Sequence, residues 1–194
     1  MALSTTTPTP MASNSRRRKI ALIARRFLVP APFVTVYALI KWKASISPRA
    51  EVELTPHLSM GRGTTVSSFT KIKATDGPLE IGEKCGFGTG CFISSGAGGI
   101  RIGDHTIFGP NVSLIASNYR YEKLDVPLEE QGHTSKGIRI GRNVWIGANT
   151  VILDGSVIRE NSIVVANSLV NRQFPPNSII QGNPAKVILQ RRAS

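Results

Sequence analysis

Residues 140–174 read IGRNVWIGANTVILDGSVIRENSIVVANSLVNRQF, and an aliphatic residue returns in them every sixth place, at Ile140, Ile146, Ile152, Ile158, Val164 and Val170. Neither an α-helix nor an ordinary strand has that period. A fixed short repeat requires a unit that stacks on copies of itself, and a hexapeptide period predicts a parallel β-helix. Four places after successive anchors stand Val144, Thr150, Ser156, Ser162 and Ser168, all small or β-branched. The physical reading is a coil of triangular cross-section in which three hexads close one turn. The anchor points inward along a flat side, the small residue fits where sides converge, and glycine, as at Gly141 and Gly147, or another permissive residue relieves the tight backbone of the corner. Turns stack at about 4.8 Å, which places each anchor over the one eighteen positions earlier.

The same register runs upstream through Ile81, Phe87 and Ile93, then Ile102, Phe108 and Leu114, with Cys85 and Cys91 at the small position. Weaker hexads pass through Ile46, Val52 and Leu58, then Met60, Val66 and Ile72 after a phase slip. Short insertions break the count near residues 73–80 and 94–101. The reading is all-β: a β-helix over residues 46–174 of roughly six turns, with a cap and tail at 175–194.

The chain of 194 residues is long enough for one domain with a real core. Two cysteines make no disulfide framework, and at equivalent repeat positions they read as packing thiols. The net charge of +12 is uneven. Arg16, Arg17, Arg18, Lys19, Arg25, Arg26, Lys41 and Lys43 lie in a stretch, residues 14–50, that contains no acid. Residues 1–15, rich in Ser, Thr and Pro, read as a disordered tail. Residues 16–45 read as a basic amphipathic, helical segment, too short between its flanking cations to span a bilayer. It suits either a cap on the open end of the coil or peripheral contact with an anionic inner membrane. No nucleic-acid-binding motif accompanies the charge, and the expected location is cytoplasmic, peripheral at that membrane.

Between Leu114 and Ile138 lies ASNYRYEKLDVPLEEQGHTSKG with no hexad register. A loop excursion at 116–137 from a rigid scaffold is where catalytic and binding residues concentrate.

The string from Ile140 to Ile188, with its NVWIGAN, FPPNS and GNPAKVI segments, resembles the hexapeptide-repeat acyltransferases. The branch it is most similar to contains the maltose, galactoside and capsular-polysaccharide O-acetyltransferases. That resemblance, over about residues 80–190, implies a left-handed coil, an exception to the right-handed rule for crossovers. It also implies a homotrimer with sites in grooves between neighbouring coils, and transfer of an acetyl group from acetyl-CoA to a hydroxyl of a sugar or polysaccharide precursor. By the same resemblance Trp145, Gly147 and Ala148 belong to the coenzyme face. Ala166 and Ser168 line the pantetheine path, and Asn171, Arg172 and Lys186 lie near the nucleotide.

Attack on a thioester by a hydroxyl asks for a general base, normally histidine. The branch carries it in an Asn-His pair at the start of the long loop, where this chain reads SNYRYE, so Asn118 is kept and Tyr119 stands at the histidine position. A tyrosine, with a reference pKa of about 10 against about 6.5 for histidine, can orient an acceptor but is a poor base. His133, within the excursion, is the candidate base, the alternative being that no side chain serves as one, which would suit an amine acceptor or a coil without catalysis. His57 reads as surface or packing, and His105 as a corner residue. The three histidines form no close pair, so no metal is expected. The alternatives are an N-acetyltransferase of a nucleotide-linked amino sugar and a non-catalytic hexapeptide scaffold.

Overall fold

Two residue types make each corner of the coil, for different reasons. The glycine after an anchor sits where the next turn's backbone passes: a Cβ on Gly141 would lie 2.4 Å from the Glu160 nitrogen, and one on Gly147 2.4 Å from the Ala166 nitrogen. The strained backbone falls two places later. Asn143, Asn149, Asn161, Asn167 and Asn177 take φ between 53° and 60°, a region that asparagine tolerates best after glycine. The corner glycines therefore serve close approach, and asparagine is the permissive residue that takes the left-handed turn. The asparagines also stack, Asn143 donating to Asn161 at 2.9 Å and Asn111 to Asn149 at 3.2 Å.

The structure, a computed structural model, describes residues 30–74 and 76–192. The expected tail at 1–15 and the basic stretch at 16–29 lie outside the described residues. From residue 45 onward the chain winds a left-handed parallel β-helix of three faces. The first face stacks Ser45–Ile46, Thr65–Val66, Gly86–Phe87, Ile107–Phe108, Trp145–Ile146, Ile163–Val164 and Ser178–Gly182 in parallel. The second runs from Glu51–Val52 to Leu169–Val170, and the third from Leu58–Met60 to Gln173–Phe174.

Every strong anchor is buried: Ile146, Ile152, Ile158, Val164 and Val170 are all at 0% exposure. Phe87 stacks on Phe108 inside the coil, centroids 4.6 Å apart. The small positions are buried too, and their side chains tie adjacent turns. Thr64, Thr70 and Thr106 donate to the carbonyls of Gly82, Gly88 and Gly141, and the thiols of Cys85 and Cys91 do the same to Gly103 and Gly109. Burial pushes both thiols up from the ordinary range.

Eighteen-residue turns hold only for Ile140 under Ile158, Ile146 under Val164 and Ile152 under Val170. Earlier rungs are longer: Val66 pairs with Phe87, and Phe108 with Ile146. The steps from third face to first and from first to second keep six residues throughout. All the irregularity, including the phase slip and both insertions, falls at the corner between second and third faces.

Both ends of the stack are covered. Helix α1 (Ala31–Trp42) lays Val34 and Ala38 against the first turn and ends at Lys43, whose φ of 51° turns the chain into the coil. Its opposite side is also apolar, with Phe33, Val36, Leu39 and Ile40 exposed. At the other end Ala185–Gln190 folds back antiparallel on Ser178–Gly182.

Candidate active site

The corner between second and third faces carries the excursion. The chain leaves it after Ser113–Ile115 and returns at Ile138–Ile140. At the base of the loop Asn118–Tyr119 pairs antiparallel with His133–Thr134, Tyr119 directly opposite His133. Their rings lie 4.3 Å apart at 39°, and both side chains are exposed. Asn118, opposite Thr134, is exposed as well. Further out, the Gln131 amide closes the loop on itself, accepting from the Lys123 N–H at 3.0 Å and donating to the Lys123 and Val126 carbonyls.

Residues from other turns fix that base. The Asp154 carboxylate accepts the N–H groups of Lys136, at 2.8 and 2.9 Å, and of Gly137, at 2.7 Å. The Ser135 hydroxyl donates to the Ala116 carbonyl and accepts the Gly98 N–H at 2.9 Å. Beneath lies a stair of glycines with no room for a Cβ: Gly77 against the Gly96 carbonyl, Gly96 against that of Ala116, and Gly98 against the Gly137 nitrogen. The two insertions are thus the steps on which the loop stands. Sequence reasoning missed Asp154 and Ser135. The available signals were a carboxylate beside Gly155 at a corner of the repeat and the GAGG run at residues 96–99.

The residues assigned to the coenzyme fall in separate places. Trp145 is 55% exposed on the outer surface of the first face, in a column with Ile107, Ile163 and Ile179. Gly147, Ala148 and Ala166 follow at the edge between first and second faces, where Ala148 is half-buried and Ala166 exposed. Asn171 and Arg172 are exposed on the edge that carries the loop, and Lys186 is exposed on the terminal hairpin. Ser168 is a correction. It is 2% exposed, its hydroxyl donating to the Val165 carbonyl at 2.6 Å and accepting the Gly182 N–H. As an inward small position it lines no outer path. Within one chain, then, the second face separates the Trp145–Ala166 surface from the Tyr119–His133 pair. His57 is exposed on the early turns, and His105 takes φ 58° at the corner between third and first faces, away from the loop. Among the described residues no three His, Cys, Asp or Glu side chains group to hold a metal ion.

The outer surfaces of the faces differ. Beside the Trp145 column, the second face presents Phe92, Ile115, Val151, Leu153 and Leu169, all half-buried, with Ser94 and Ser113 among them and a Lys71–Glu51 ion pair at 2.9 Å in its early turns. The third presents Ser59, Glu80, Arg101, Arg139, Val157 and Gln173, with Glu80 and Arg101 paired at 2.7 Å.

A family model described as bacterial transferase hexapeptide (six repeats) matches residues 137–172. The matched residues lie within the coil described above, which over that stretch is similar to the hexapeptide repeats of bacterial transferases. A probable acetyltransferase of Mycobacterium tuberculosis is 26% identical over 187 residues, and the match spans 89% of this chain and 62% of that protein. Among solved structures the coil is similar to AntD, an N-acyltransferase from Bacillus cereus in complex with dTDP and coenzyme A. The TM-score is 0.70 at 20% identity, over 81% of this chain and 88% of the other. It is also similar to a hexapeptide-repeat acetyltransferase of Vibrio cholerae complexed with acetyl coenzyme A, with a TM-score of 0.56 at 22% identity over 94% and 88%.

Proposed function

We propose that this chain transfers an acetyl group from acetyl-CoA to a hydroxyl of a sugar or polysaccharide precursor, by direct transfer in a groove shared between copies of the chain. The observation that carries the reading is the pair at the loop base, where a rigidly anchored hairpin holds His133 against Tyr119 on an exposed edge. A neutral imidazole there takes the proton of the acceptor hydroxyl as its oxygen attacks the thioester carbonyl. The tetrahedral intermediate then collapses and expels the coenzyme thiolate, which recovers the proton from the imidazolium. Tyr119 and Asn118 orient the acceptor. Neither buried thiol is placed to act as a nucleophile, which supports transfer without an acyl-enzyme.

Trp145, Ala148 and Ala166, with Gly147 keeping the backbone close, form the surface proposed to receive the pantetheine arm. Asn171, Arg172 and Lys186 supply polar and cationic groups for the nucleotide phosphates. That surface and the loop lie on different edges of one coil, so they converge only if the loop of one copy lies against the neighbour's Trp145–Ala166 edge. The apolar outer residues of both faces flanking that edge support a homotrimer as the working form. A second reading, an amine acceptor such as a nucleotide-linked amino sugar, draws support from tyrosine standing where the branch has histidine, because an amine needs less help from a base. One assay tests both: coenzyme thiol released from acetyl-CoA over a panel of sugar and amino-sugar acceptors. On a hydroxyl acceptor His133→Ala is expected to lower kcat by about 10²–10⁴. Full activity of that variant on a hydroxyl acceptor would remove His133 from the mechanism.

A further inference from the structure

Helix α1 is apolar on two opposite sides, and only one of them is used by the coil. Val34 and Ala38, 7% and 0% exposed, face the first turn. Roughly half a revolution round the helix axis, Phe33, Val36, Leu39 and Ile40 are 56, 53, 57 and 76% exposed. A capping helix needs one apolar stripe, so the second asks for another partner.

The border of this patch indicates which partner. Phe33 stacks on Tyr37 at 6.1 Å, and Trp42 meets Tyr37 edge-on at 5.6 Å. The Lys41 ammonium donates to the Tyr37 hydroxyl at 2.8 Å and lies 5.2 and 5.1 Å from the Tyr37 and Trp42 ring centroids. Aromatic rings with polar tips, and lysines carried on long apolar stems, suit a boundary between hydrocarbon and water. At twelve residues the helix is too short to span a bilayer, and no helix among the described residues is long and apolar enough to cross one.

Charge decides between the remaining occupants. The sequence from residue 14 to residue 50 contains Arg16, Arg17, Arg18, Lys19, Arg25, Arg26, Lys41, Lys43 and Arg49 and no acid. A second copy docked through this face would bring two such segments together, like charge on like. An anionic lipid surface neutralises them instead. We propose that the outward face of helix α1 docks in the interface of an anionic phospholipid bilayer and holds the first turn of the coil against the membrane.

The test floats the purified full chain with phosphatidylcholine vesicles and with vesicles that also contain phosphatidylglycerol. The wild type is expected to float with the anionic vesicles, less so as salt is raised. A Phe33→Ser/Ile40→Ser variant, changed only at exposed positions, is expected to bind at least tenfold more weakly while keeping the wild-type thermal midpoint. Lys41→Glu/Lys43→Glu is expected to lose the preference for anionic lipid. Equal binding by the Phe33/Ile40 variant and wild type would overturn the proposal, as would no binding by wild type. Concentration-dependent self-association without lipid binding, abolished by the same substitutions, would overturn it in favour of a second copy.

Discussion

Gly147 and Asn149 stand two places apart and could exchange roles in a simpler turn, but not here. A methyl on Gly147 meets the backbone nitrogen of Ala166, which cannot withdraw without opening the stack. Gly147→Ala is expected to cost about 1–3 kcal/mol, read as a fall in thermal midpoint. Asn149→Gly, at φ 57°, is expected to leave the midpoint within a degree or two. The cysteines make a second prediction at this scale. Their pKa values are raised in the fold, mainly by burial, so the folded state favours the neutral thiol. That contribution is whole below the ordinary thiol pKa and is lost as pH rises through the higher folded values. Cys85→Ser/Cys91→Ser is therefore expected to flatten the alkaline fall in stability, followed by denaturant melts above pH 8. Ser168 marks where residue-level reading failed. The hexad made it an inward residue, the family resemblance made it a coenzyme contact, and the buried hydroxyl upholds the hexad.

The strands and corners were legible because each repeats: six residues place one anchor, and errors in one hexad are corrected by the next. The loop does not repeat, so its position could be read as a break in register but its anchoring could not. Asp154 acts on Lys136 and Gly137 from the following turn, and Ser135 reaches Gly98 from the turn after it. Such contacts exist only once the coil is wound. Asp154→Ala removes the acceptor for two backbone N–H groups, and hydrogen bonds to a charged group are worth about 1.5–3 kcal/mol. The expected outcome is faster amide exchange across residues 133–137, with protection of the strands at Ile146, Ile152 and Ile158 unchanged. Uniform loss of protection along the coil would contradict a role confined to the loop.

Across the whole molecule, the three faces carry different outer chemistry on one inward pattern. The hexads announced the inner side because it must be apolar at every turn. The outer columns alternate with the anchors and could not be sorted into apolar and charged until registers such as Ile107 beside Trp145 and Arg101 beside Arg139 were known. The proposed assembly predicts a trimer in sedimentation, and Ile107→Glu/Ile163→Glu is expected to shift it to monomer with the coil still folded. The central claim is that acetyl-CoA lies on the outer surface carrying Trp145 and near the edge of a neighbouring copy that carries Arg172. Calorimetric titration of acetyl-CoA into wild type and into Trp145→Ala/Arg172→Ala tests it most directly. Binding to wild type that weakens at least tenfold in the variant is the predicted result. No detectable binding to folded wild-type protein would contradict the acyltransferase account and leave a non-catalytic scaffold in its place.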